Sequence, residues 1–247
     1  MAKRIDTLEA FLEVASSEHP THPFSRQEET PALHSIRLAM TPAPWGVPID
    51  PRQESLLRGE VAQKLSDNGV DIEITDGPAI DAKAVGGAYF AFARRYFIEH
   101  VSAGGHHDKF TGKTRRPPDM KKASAFVESL RSDIDDWMES NHFDAWILPV
   151  SACLPFPHNP KQRKIKLGAD DDDEAKMANY WNATIPYVMP FTLTGQPLVT
   201  LPVGLVGQEK PLPVGVQVVG RRWQDGKLLA SCRALESIFG HFHPPGI

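Results

Sequence analysis

A few short stretches of this sequence carry side chains able to do chemistry. Ser151-Ala152-Cys153 follows the apolar run "DAWILPV" (144–150), and a strand exit is a common place for a nucleophile in α/β proteins. His158 or His142 would be the base that activates Cys153. The flank "LPVSACLPFPH" is proline-rich and apolar, with no following helix to lower a thiol pKa, so the same residues also read as a buried strand-exit loop. His106-His107-Asp108 offers metal-binding groups, but adjacent histidines in an extended loop point apart and no third ligand has a defined spacing. Asp170-Asp171-Asp172-Asp173-Glu174 lacks the alternating ligands and central glycine of a calcium loop. The basic run Lys161 to Lys166 stands beside those acids, which cancel much of its field. Gly215-Val-Gln-Val-Val-Gly220 lacks the glycine spacing of a phosphate-binding turn. No metal site, no cofactor and no catalytic residue follow from these patterns.

The elements that must position such groups are clearer. Residues 5–15 place Ile5, Leu8, Leu12 and Ala15 on one helical face. "IRLAM" (36–40) reads as a strand. Asp50-Pro51 opens a helix with Leu57, Val61 and Leu65 at four-residue spacing, and Asn68-Gly69 ends it. "VDIEIT" (70–75) alternates as a half-buried strand does, so residues 36–75 form a crossover unit. Residues 79–101 read as a mostly buried helix. Residues 120–140 read as an amphipathic one with Phe126, Leu130, Ile134 and Trp137 as its stripe. "KQRKIKLGADDDDEAK" (161–176) reads as a solvated loop. "LVTLPV" (198–203) is expected to be a short buried strand and "LPVGVQVVG" (212–220) a second. Asp225 is expected to cap a helix presenting Leu228, Leu229, Cys232, Leu235 and Phe239, with Gly240 as its stop. The fold class is therefore α/β, a mixed sheet covered by helices, as a single domain over 1–247 with 1–30 as a loosely attached helix and loop.

Composition sets limits. With 247 residues the chain is long enough for a sizeable core. A net charge of −4 argues against a general nucleic-acid binder. No stretch approaches the length of a membrane span. Cys153 and Cys232 form no paired motif, which suits a reduced, cytoplasmic protein.

The segment "FTLTGQPLVTLPVGL…LPVGVQVVGRRWQDGKLLASCRALE" resembles the carboxyl-terminal part of amidase signature enzymes, which are serine hydrolases of carboxylic amides. The resemblance lies in the Thr194-Gly195-Gln196-Pro197 turn, Pro202-Val203-Gly204, Leu212 to Gln217, Asp225 and Leu228-Leu229. "FDAWILPVSACLPFP" and "SIRLAMTP…KLSDNGVDIEI" are similar to segments that precede it in that family. The resemblance implies an acyl or amine pocket lined by Trp181, Ile185, Tyr187, Met189 and Phe191, for which core packing is the competing role. The family's nucleophilic Ser, second Ser and Lys lie in and before a Gly/Ser-rich segment. No Gly-Gly-Ser-Ser-Gly-like stretch occurs here, and Thr192 stands where an Asn is usual. The expectation is a carboxyl-terminal part, from a gene fragment or a split enzyme, that is inactive alone. It would take a small-molecule amide only when completed by an amino-terminal part. The competing readings are a non-catalytic remnant that binds a partner and an independent Cys-dependent hydrolase. A half-covered sheet is also expected to self-associate.

Overall fold

The crossover unit predicted over 36–75 forms as expected. In the computed structural model, which describes residues 4–16, 28–96, 119–157, 164–169, 175–207 and 211–240, β1 (Arg37–Met40) pairs in parallel with β2 (Asp71–Ile74). Between them run α2 (Pro51–Leu56), a π-helical turn at Leu57–Val61 and α3 (Ala62–Asp67). Asp50 Oδ1 accepts from the Arg52 N–H at 3.0 Å, and Pro51 occupies the first turn, where its missing N–H costs nothing. Leu57, Val61 and Leu65 are buried, as their spacing predicts. Gly69 ends the run with φ +81.

The main sheet has the order β2-β1-β3-β7-β6. β3 (Ala145–Pro149) pairs in parallel with β1 and antiparallel with β7 (Leu212–Gly220), which pairs antiparallel with β6 (Leu198–Val206). Alternation along β3 divides the core. Ala145 and Ile147 face a cluster with α2, α3 and α8 (Asp225–Phe239), while Trp146 and Leu148 face a second cluster with α5 (Met120–Ser140) and α7 (Met189–Thr194). α1 (Ile5–Ser16) lies on α8, with Ile5 buried and its N–H donating to Glu236 Oε1 at 3.2 Å.

Several sequence expectations need correction. α4 (Ala82–Tyr96) is a surface helix that buries only Val85 and Ala88, and it leaves Phe90, Phe92 and Tyr96 exposed. Small residues such as Ala88 face the fold, Tyr89 packs at the margin of the second cluster, and the other three rings face outward. The buried face of α5 is Ala123, Val127, Leu130, Ile134 and Met138, with Phe126 and Trp137 at its margins. A strand forms where a loop was expected over 161–176: β4 (Lys164–Leu167) pairs with β5 (Lys176–Asn179) in a separate two-stranded sheet. β6 is longer than expected and only half-buried. It is an edge strand with a register shift between Pro202 and Gly204, features that discourage further pairing. Asp225 is not the cap of α8. Gln224 takes that place without a side-chain bond, and Asp225 contributes its charge to the first turn. His106-His107-Asp108, Lys161 to Arg163, His158 and Asp170 to Glu174 lie outside the described residues.

Candidate functional site

Chain direction fixes where a site can form. From β1 the chain crosses to β2 through α2 and α3 on one face of the sheet. From β2 it passes over to β3 through α4 and α5 on the other face. Crossovers that leave adjacent parallel strands on opposite faces open a crevice at the carboxyl ends of those strands. Here the crevice lies beyond Met40 and Pro149.

Three segments build it. The loop after β1 makes a turn at Pro44–Gly46, where Trp45 sits at φ 58 against the Tyr187 ring, 6.0 Å between centroids. It then reaches buried Asp50, whose carboxylate takes both Nε and Nη2 of Arg52 at 3.0 and 2.8 Å. The loop after β3 is tied to that helix start. Asp50 N–H donates to the Ala152 carbonyl at 2.8 Å and Gln53 Nε2 to the Ser151 carbonyl at 2.8 Å. Ala152 N–H donates to the carbonyl of Ala183 in α6 (Tyr180–Thr184) at 2.8 Å. Beneath them Trp146 Nε1–H donates to Thr41 Oγ1 at 2.8 Å. Gly77 passes so close that a Cβ there would lie 2.7 Å from Trp146 Cζ2, and its φ of +74 also favours glycine.

Within this frame lies a cavity of about 240 Å³, lined by Gln53, Ser151, Cys153, Phe156, Thr184 and Gly215 among others. No charged side chain lines it among the described residues. Ser151 Oγ donates to the Cys153 carbonyl at 2.7 Å. Burial pushes the Cys153 thiol up, against a smaller opposing effect of its hydrogen bond with Ser151. His142, a base considered for Cys153, stands at the amino end of β3, so the whole strand, about 16 Å long, separates the two. The chemistry available here is binding of a neutral group, by a wall of backbone and uncharged side chains. No group of three or more potential metal ligands occurs among the described residues.

The five residues proposed for a substrate pocket separate into three settings. Tyr187, Met189 and Phe191 are buried, and Phe191 meets Trp146 edge-on at 5.6 Å. Burial, then the charge of Glu54, push the Tyr187 phenol up, and its O–H donates to the Val47 carbonyl at 3.2 Å. Ile185 packs on the margin of the same cluster. Trp181 is exposed, stacked edge-on with Phe90 and Tyr180. None of the five lines the crevice cavity. Sequence reasoning passed over Gln53 and Thr184. The usable signal was position, since both lie where chain leaves or re-enters the carboxyl end of the parallel strands.

The mixed sheet with helices on both faces is an α/β fold. The amidase family model matches residues 51–229, and this chain belongs to that family. An uncharacterized protein in the nthA 5' region of Rhodococcus erythropolis is 29% identical over 154 residues, covering 60% of this chain and 66% of that one. A glutamyl-tRNA(Gln) amidotransferase subunit of Thermotoga maritima is 44% identical over 109 residues, 43% of this chain and 19% of that protein. Among solved structures, an amidase superposes with a TM-score of 0.70 at 21% identity over 96% of this chain, and a fatty acid amide hydrolase with 0.66 at 17% over 97%. The chain spans 51% and 47% of those two proteins. No helix of the described residues is long and apolar enough to cross a membrane.

Proposed function

We propose that this chain supplies the scaffold and one wall of the substrate crevice of an amide hydrolase, while the bond-breaking groups come from a segment other than the residues described. The state of the crevice's own nucleophiles carries this reading. Ser151 directs its proton to the Cys153 carbonyl, the Cys153 thiol is held neutral by burial, and no proton acceptor of suitable strength lines the cavity among the described residues. Amide cleavage needs an activated nucleophile, a proton for the amine leaving group and donors for the oxyanion. A positioned base contributes roughly 10²–10⁴-fold, and each oxyanion donor roughly 10²–10³-fold. A wall without them binds and does not turn over.

The uncharged lining favours a neutral carboxylic amide, presented through its apolar side. In this reading Trp181 stands at the aromatic rim, and Ile185, Tyr187, Met189 and Phe191 shape the crevice from behind through the Tyr187–Val47 contact. Two free, buried cysteines suit the reducing cytoplasm. The exposed ring series Phe156, Tyr180, Trp181 and Phe90 supports self-association of the chain on its own.

The test is to treat purified chain with a serine-reactive fluorophosphonate and, separately, with iodoacetamide, while assaying amide hydrolysis. The expected result is no stoichiometric serine adduct and no turnover. A single labelled serine whose modification abolishes amide hydrolysis would overturn the proposal. Turnover that disappears on alkylation of Cys153 would instead establish a thiol hydrolase.

A further inference from the structure

The loop that carries Ser151 and Cys153 leaves the sheet at Pro149, and one buried side chain governs that exit. Gln217 lies in β7 between Leu148 of β3 and Thr200 of β6 and is fully buried. Its Nε2 donates to the Pro149 carbonyl at 3.1 Å and to the Tyr187 carbonyl at 2.7 Å. The Tyr187 O–H then donates to the Val47 carbonyl at 3.2 Å. One series of hydrogen bonds thus joins the exit of β3, the turn before α7 and the loop after β1, the segments that surround the crevice.

Gln217 Oε1 is buried and has no partner among the described residues. An unpaired amide oxygen in the interior is unfavourable, and an apolar side chain of the same length would fill the space without it. Packing alone does not explain a glutamine here. Its two N–H bonds do, because they fix two carbonyls that belong to different segments.

We propose that Gln217 is a positioning residue for the crevice. By holding the Pro149 and Tyr187 carbonyls on one amide, it sets Ser151 and Cys153, which follow Pro149, against Thr184, which precedes Tyr187, across the cavity. This assignment concerns geometry and holds whichever segment supplies the bond-breaking groups.

The two cysteines provide the test. Cys153 lies in the crevice loop, and Cys232 lies in α8 within the main aliphatic core. Gln217→Met keeps the length of the side chain and removes both donors. Iodoacetamide labelling of the native chain, read for each cysteine by peptide mass spectrometry, should show Cys153 reacting about tenfold faster, equivalent to about 1.4 kcal/mol of easier local opening. Cys232 should stay as protected as in the parent chain. An unchanged Cys153 rate would overturn the proposal. So would an equal rise at both cysteines, which marks a general loss of stability. If Gln217→Met fails to fold, Gln217→Asn keeps an amide but shortens its reach by one methylene, so that it no longer spans both carbonyls. Cys153 should then react about twofold to threefold faster with Cys232 unchanged, and an unchanged Cys153 rate in that variant would overturn the proposal.

Discussion

Cys232 and Cys153 are both buried thiols, yet the regions around them are built differently. Cys232 belongs to a large aliphatic core that includes Leu228, Leu235 and Val218. Gly220 sits so near α8 that a Cβ would come within 3.0 Å of Leu228 Cβ. Cys153 packs in a small cluster with Ile165 and Leu167 of β4 and Ala183 of α6, and the loops around it are tied through the backbone carbonyls of Ala152, Ala183, Ser151 and Pro149. The first region is held by a large packed core, while the second has only a small cluster and adds directional hydrogen bonds between segments far apart in sequence. A packed core tolerates little and does little chemistry. Loops suspended on polar ties over a rigid sheet can open a cavity and hold a ligand.

Substitutions put that contrast at risk. The largest effect should come from Leu235→Ala, fully buried near Cys232, at about 2–5 kcal/mol of lost stability. Phe156→Ala at the crevice rim, where the ring is 36% exposed, should cost less than about 1 kcal/mol. Equal costs by chemical denaturation would erase the distinction. Gly77→Ala comes next, at about 1–3 kcal/mol, because the new methyl meets Trp146 and the backbone has a left-handed φ.

Alkaline pH should act on both regions in the same direction. Burial raises the Cys232 and Cys153 thiols above their ordinary value near 8.5. An unfolded thiol then loses its proton at lower pH than the folded one, so unfolding releases protons. Stability is complete below about pH 8.5 and falls as pH rises beyond it. Denaturation midpoints of Cys232→Ala and Cys153→Ala against the parent chain, measured from pH 7 to pH 10, should lose part of this slope. An unchanged slope in both would contradict the assignment. The smallest effect belongs to the largely exposed i,i+4 pair Arg58–Glu54, 2.8 Å long, where Arg58→Ala should cost no more than about 0.5 kcal/mol.

The sequence made some of this visible and concealed the rest for physical reasons. Leu57, Val61 and Leu65 repeat at helical spacing, and Leu228, Leu229, Cys232 and Leu235 do the same in α8, so local pattern was enough. α4 misled because its sequence is apolar without a break from Ala84 to Ala93, and composition does not say which face meets the sheet. Only small residues such as Ala88 can approach α5 closely, which turns Phe90 and Phe92 outward. β4 was concealed because its pairing with β5 is formed across a connection whose charge dominates the pattern. The family resemblance pointed to Tyr187 and Phe191, yet not to their burial under Trp45 and beside Trp146. Gln53 and Thr184 carry no motif. They matter because strand order brings them to one crevice, and strand order is a property of long-range pairing.

If the crevice at the ends of β1 and β3 is where substrate lies, a bound amide must protect the segments that wall it. Hydrogen exchange of the native chain with and without a saturating neutral carboxamide such as benzamide reads this out. Added protection is expected in peptides covering 50–54, 150–156 and 213–215, and none across 225–239. Protection confined to α8, or bound amide with no added protection at 150–156, would contradict that placement.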